Sequence, residues 1–197
     1  MEITAKMVKE LREKTGAGMM DCKSALKETD GDFEKAVTVL REKGIAKAAT
    51  KGGRETSEGL IASYIHPGDK LGVMVEIACE TDFVARTDQF RQFARDIAMH
   101  VAAISPVCVS REEVDGNLVD NEREIYRKQA ERDGKPAQVI DKIVDGRIEK
   151  YYSEIVLMEQ PFVKDNDKTI GDYVKETIGS LGENIVIKRF VRFRLGE

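Results

Sequence analysis

Ile3, Met7 and Leu11 recur at helical spacing behind Thr4, a residue type suited to an N-cap, and Thr15-Gly16-Ala17-Gly18 breaks the run. The pattern predicts a first helix there and a second from about Met19 to Lys27, ended by Thr29-Asp30-Gly31-Asp32. A third starts near Asp32, with Phe33, Ala36, Val37 and Leu40 on one face. Three such helices are expected to close into a bundle whose core is small enough to be marginal. From Lys47 to Glu58 the chain reads KAATKGGRETSE, small and basic around a Gly-Gly, which is the composition of a linker. The expected division is therefore a three-helix domain, 1–54, and a second domain, 55–197.

Beyond the linker the period changes to two. Residues 59–66 (GLIASYIH) and 71–79 (LGVMVEIAC) flank Pro67-Gly68-Asp69-Lys70 and predict a hairpin, with Val73, Val75, Ile77 and Cys79 on one face. A helix is expected from about Asp88 to Ile104, with a stripe of Phe90, Phe93, Ala94, Ile97, Val101 and Ile104 before Pro106. Residues 110–118 read as irregular. Asn121–Arg132 and Pro136–Met158 then read as two helices joined by Asp133-Gly134-Lys135, a helical hairpin projecting over about 121–158. A short helix over about Ile170–Leu181, with Gly182 at its C-cap, precedes a closing β segment, Asn184–Leu195. The fold class is α+β: a helical bundle, then an antiparallel sheet with helices.

Composition narrows the function. Thirty-six acidic against thirty-two basic residues give a net charge of −4, which argues against direct binding to nucleic acid through many neutralised phosphates. Cys22, Cys79 and Cys108 are far apart, form no CxxC pair, and are joined by only two histidines, so no metal site is expected. They read instead as small buried hydrophobes in a reducing compartment. MEITAKMVKELREK lacks the apolar core of a signal peptide, and no run is long and apolar enough to span a bilayer. A cytoplasmic protein away from membranes is expected.

No catalytic constellation stands out. There is no GxxxxGK[ST] loop, GxGxxG, HExxH or GxSxG, so neither an enzyme nor a cofactor is indicated. His100 lies beside the stripe of its helix and reads as a surface or boundary residue. Two apolar side chains sit oddly. On the second helix Met19, Cys22 and Leu26 share the inward side, which turns Met20 outward among Lys23, Ser24 and Lys27. An outward Met suits a partner surface, and equally a stray apolar residue. Phe83 follows Glu80-Thr81-Asp82 at a strand-to-helix corner, where Thr81 or Asp82 would cap a short turn; it either meets a partner or plugs the core.

The residues also carry a likeness. Ile3-Thr4, Val8-Lys9-Glu10-Leu11-Arg12 and Thr15-Gly16-Ala17-Gly18-Met19-Met20-Asp21-Cys22-Lys23 resemble the opening of the elongation factor Ts family. Gly31-Asp32 and Leu40-Arg41-Glu42-Lys43-Gly44 match as well, and Cys79-Glu80-Thr81-Asp82-Phe83-Val84-Ala85 resembles its second signature. His100, Gly146-Arg147 and Gln160-Pro161-Phe162-Val163 extend the likeness along the chain. The resemblance implies a ubiquitin-associated-like N-terminal bundle and a protein that is not an enzyme. It implies binding to the GTP-binding domain of EF-Tu·GDP, dislocation of Mg²⁺, release of GDP, and displacement when GTP binds. Thr81, Asp82, Phe83 and Val84 would act on the metal, Met19, Met20 and Lys23 would dock the bundle, and His100 would add a core contact. Longer members repeat the core within one chain, whereas this sequence holds a single copy. A homodimer is therefore expected, also because Ile185, Ile187, Val191, Phe193 and Leu195 give the closing strand an apolar face. The competing reading is a different interaction module, with the bundle holding ubiquitin-like or peptide partners.

Overall fold

A computed structural model describes residues 3–197. The described chain is mixed helix and strand. Helices α1 (Ala5–Thr15), α2 (Met19–Glu28) and α3 (Phe33–Lys51) come first. Strands β1 (Glu58–Ile65) and β2 (Leu71–Cys79) lead to α4 (Asp82–Ala85) and α5 (Asp88–Ile104). Then follow α6 (Gly116–Arg132), α7 (Ala137–Ile155), β3 (Pro161–Phe162), β4 (Asp165–Thr169), α8 (Ile170–Leu181) and β5 (Ile185–Arg194). One sheet has the order β1-β2-β5 and the other pairs β3 with β4. The β1–β2 turn closes through His66 N–H to the Leu71 carbonyl, 2.9 Å, and Leu195 N–H reaches the Lys70 carbonyl, 2.8 Å, so β5 runs antiparallel to β2.

The chain resolves into two compact units, each drawn from separate stretches: 1–61, 77–94 and 172–186 in the first, 62–76, 95–171 and 187–197 in the second. In the first, Thr4 caps α1 through Met7 N–H and Asp32 caps α3 through Lys35 N–H, satisfying amides that helix starts leave unpaired. Val8, Leu11, Cys22, Ala25, Leu26, Ala36 and Leu40 form the bundle core. Helix α3 continues through Lys51, so the first five residues of the expected linker are helical. The run Ala46–Lys51 is rich in alanine and lysine, strong helix formers that read as linker only because they are small and charged.

In the second unit α6 and α7 enclose their own core of Val119, Ala130, Ile140, Val144 and Ile148, with Gly134 (φ 68°) at the turn. Helix α6 begins five residues earlier than expected because Asp115 caps it, accepting from Asn117 N–H at 2.9 Å. A short 3₁₀ turn, Arg111–Glu113, precedes it inside the stretch expected to be irregular. Helix α7 ends at Ile155, short of Met158, and a 3₁₀ turn, Leu157–Glu159, follows. The β3–β4 pair was not foreseen: Asp165-Asn166-Asp167-Lys168 has no apolar alternation to announce a strand. Ile104, assigned to the buried stripe of α5, is exposed at the end of that helix.

Close approach of α3 and α8 in the first unit makes a sharp test. A Cβ on Gly179 would stand 2.8 Å from the Gly44 Cα, whereas one on Gly44 would meet nothing within 4 Å. Gly179→Ala is expected to lower stability by about 1–3 kcal/mol through overpacking. Gly44→Ala should be neutral or stabilising by up to about 1 kcal/mol, the helix-propensity difference. Chemical denaturation of the two variants checks the asymmetry; equal effects would contradict it.

Candidate functional site

Strand β2 ends at Cys79 and α4 begins three residues later, so Glu80 and Thr81 turn a corner. Thr81, not Asp82, is the N-cap: its backbone is extended (φ −129°, ψ 154°) and its hydroxyl accepts from the Val84 N–H at 3.4 Å. Asp82 instead pairs with Arg86 one turn on, at 2.9 Å. The Thr81 hydroxyl donates to Glu183 Oε1 at 2.6 Å and the Thr81 N–H donates to Glu183 Oε2 at 3.0 Å. Cys79 Sγ donates to the Thr81 carbonyl at 3.2 Å. Glu80 accepts from Asn184 N–H at 2.6 Å and from Arg54 at 3.4 Å, while Asn184 Nδ2 donates to the Arg54 carbonyl at 2.8 Å.

The electrostatics follow from these bonds. The Asn184 amide, helped by Arg54, holds the Glu80 carboxyl below the usual range. Burial, reinforced by the charge of Glu183, pushes the Cys79 thiol up to about 11, so at neutral pH it stays protonated and remains a donor. On this braced corner only Ala85 of α4 is buried, and Phe83 is 79% exposed. A core plug is thereby ruled out. Beside α4 lies an open cleft of about 400 Å³, lined by Leu60, Ile61, Ala85, Asp82, Arg86 and Arg91 among others.

On α2, Met20 is 76% exposed and Lys23, Ser24 and Lys27 around it are exposed too. Met19 departs from expectation. It is 45% exposed because it opens the helix, a turn beyond the bundle core, and the inward set is Cys22, Ala25 and Leu26. The Thr81–Val84 corner and the Met20 face both belong to the first unit.

His100 corrects the expectation more strongly: it is fully buried in the second unit rather than at the surface. Its Nε2 lies 3.0 Å from Gln160 Oε1 and its Nδ1 accepts from Val163 N–H at 3.2 Å, an arrangement that places the ring proton on Nε2. Gln160, itself buried, spends its amide on the Glu154 carbonyl at 2.6 Å. The imidazole thus ties the start of the β3–β4 pair to α5. Among the described residues, no three His, Cys, Asp or Glu side chains gather as metal ligands, and no helix is long and apolar enough to cross a membrane. Sequence reasoning missed Glu183, and named Gln160 only within the family likeness, without the bond to His100. A charged residue after a helix-ending glycine carries no pattern that separates a clamp from a solvated surface group.

Comparison with known proteins places this mixed helix-and-strand chain among the factors of translation elongation. A family model described as Elongation factor TS matches residues 2–197. A protein named Elongation factor Ts from Fervidobacterium nodosum is 58% identical over 197 residues, covering all of both chains. Its namesake from Desulfosudis oleivorans is 59% identical over 195 residues, 99% of this chain and 98% of the relative. That from Carboxydothermus hydrogenoformans is 58% identical over 195 residues, 99% of this chain and 90% of the relative. The chain belongs to the elongation factor Ts family.

His100 generates a pH prediction. Burial lowers its pKa below 6.5, and the bond to Gln160 only partly opposes this. With a depressed folded-state value, the unfolded chain binds the extra proton first, so stability is full above the unfolded pKa and falls as pH drops through about 6.5. Melting temperature should therefore decline between about pH 7.5 and pH 5.5, more in the parent than in His100→Gln. The variant will start lower, having lost a buried hydrogen bond. Equal declines would show that His100 is not the source.

Proposed function

We propose that this protein is a guanine nucleotide exchange factor for the translation elongation GTPase EF-Tu, working in the cytoplasm and making no covalent bond. Membership of the family supports the reading, and the observation that carries it is Phe83, a large apolar side chain held in water on a hydrogen-bonded corner. Phe83, with Thr81, Asp82 and Val84, acts as a wedge at the GTP-binding domain of EF-Tu and favours the state from which Mg²⁺ has been dislocated. Residues 1–54, a ubiquitin-associated-like bundle, add docking through Met19, Met20 and Lys23. His100 is too buried to touch a partner with its ring and contributes by holding Val163 in place. The contacts are with protein rather than nucleic acid or lipid.

Bound GDP is held in part through Mg²⁺, which bridges phosphate oxygens and protein ligands. A partner that prefers the metal-free, loosened pocket weakens GDP by the same factor by which GDP weakens the partner, and GTP binding then expels it. A thousandfold acceleration needs about 4 kcal/mol off the release barrier. Burying one Phe is worth roughly 1.5–3 kcal/mol, so a wider interface must supply the rest.

Release of a fluorescent GDP from EF-Tu, with and without the protein, tests the proposal. Phe83→Ala should slow the accelerated release by about 10- to 100-fold at unchanged melting temperature, the loss of one buried aromatic contact. Met20→Asp should weaken binding while leaving the circular dichroism intact. A stable Phe83→Ala protein with full exchange activity would refute the wedge, and unchanged binding by Met20→Asp would remove that residue from the interface.

We further propose that the protein is a homodimer. The closing strand does not present one continuous apolar face: Ile185 and Ile187 are buried, Lys188 and Arg189 are both exposed, and the alternation changes phase there. Arg189 bonds Glu76 at 2.7 Å, which sets Val191 and Phe193 on the Glu76 face of the sheet along with Met74. Ile65 joins them, its Cδ1 lying 2.9 Å from where a Gly72 Cβ would stand. Exposed apolar residues in a row on a sheet favour a second copy of the same face. Sedimentation at micromolar concentration should give twice the 22.1 kDa of the chain. A species of single-chain mass, or a dimer untouched by Phe193→Asp, would overturn this.

A further inference from the structure

We propose that Glu183 is a positioning residue for nucleotide exchange, fixing the direction in which Phe83 points; this rests on the exchange-factor reading above. Phe83 is 79% exposed, so packing does little to hold it. A four-residue helix is too short to be stable by itself. The orientation of the wedge must therefore come from what precedes it, and Thr81 is held at all three of its polar groups.

Two of the three bonds end on the same carboxylate. Glu183 takes the Thr81 N–H on one oxygen and the hydroxyl proton on the other. A hydroxyl that donates to Glu183 has its lone pairs free to face the Val84 N–H, which is the bond that caps α4. The carboxylate thus selects the hydroxyl rotamer that starts the helix carrying Phe83. It is charge-assisted on both bonds, the stronger kind of hydrogen bond. Glu183 in turn follows Gly182, whose positive φ of 78° ends α8, and Asn184 beside it bonds Glu80 and Arg54. The wedge is anchored to the frame of the first unit rather than to its own short helix.

The replacement Glu183→Gln keeps size and shape but offers one acceptor and one donor where two acceptors are needed. Its amide NH₂ would confront either the Thr81 N–H or the hydroxyl in its donating orientation. Backbone order parameters of residues 82–84 in the free protein should fall from about 0.85 towards 0.6 or below. Accelerated GDP release from EF-Tu should slow by about tenfold, the scale of one hydrogen bond to a charged group. Because Glu183 acts through Phe83, adding Glu183→Gln to Phe83→Ala should change the rate by less than about twofold, the scatter of independent sites. Thr81→Val, which removes the hydroxyl at constant shape, should reproduce the single-variant results from the other side of the clamp. Unchanged order parameters, or rate losses that multiply in the double variant, would overturn the assignment. Failure of the parent protein to accelerate GDP release would overturn the exchange reading instead, and the order parameters would still decide whether Glu183 holds the turn.

Discussion

At the C-terminal end of α8, four residues collect polar bonds from across the first unit. Ser180 Oγ donates to the Gly16 carbonyl and accepts from Gln89 Nε2, each at 2.7 Å, which ties the α1–α2 turn to the start of α5. The Gly182 carbonyl accepts from Lys51 at the end of α3. Glu183 and Asn184 hold Thr81, Glu80 and Arg54. A helix terminus leaves carbonyls without intrahelical partners, and the segment beyond it is already irregular, so such bonds displace no helix or sheet pairing. The place where α8 must stop becomes the place where the bundle, the β2–α4 corner and α5 are joined.

That constraint explains how a marginal bundle coexists with exposed apolar groups. Seven buried side chains are a small core for three helices, and its N-caps add about 1 kcal/mol each. The ion pairs of Arg41 with Asp172 and Glu176 are partly exposed and contribute little. What remains is the close contact at Gly179, where absence of a side chain lets α3 and α8 approach and gain dispersion over many atoms. With the frame secured there, Met20 and Phe83 need not be recruited into the core. Had either been required for stability, it would not stand in water.

Much of the frame was legible from periodicity. The cap at Thr4, the start of α3 at Asp32, the stop at Gly182 and the alternation of β2 all appear where spacing and residue type place them, because these are local signals. Errors and open alternatives arose where the deciding partner is remote. His100 lies beside a stripe by angle, yet Gln160 and Val163, sixty residues on, bury it. Phe83 has no periodic context to decide between partner and core, and the bonds that hold Thr81 at the start of its turn end 102 residues away. Met19 was misplaced because helical angle says nothing about where along the helix the core ends. The β3–β4 pair, with its charged second strand, is held by that same buried histidine rather than by a pattern of its own.

Under the exchange reading, stiffness matters more than area. Contact made equally well with the GDP-bound and the loosened pocket tightens the complex without hastening release, since only preference for the loosened state lowers the barrier. A flexible Phe83 could adapt to either pocket and would discriminate poorly between them. A Phe83 whose direction is set before binding fits one geometry, which the exchange reading takes to be that of the loosened pocket. The reciprocity of linkage then demands that nucleotide weaken the wedge's binding by the factor by which the wedge weakens the nucleotide's, so the free protein must tolerate Phe83 in water for part of every cycle. A side chain that anchored the fold could not be withdrawn and returned in this way. Exposure and rigid support are therefore two sides of one requirement, and a polar clamp behind the wedge meets both without adding apolar contacts that would draw it inward.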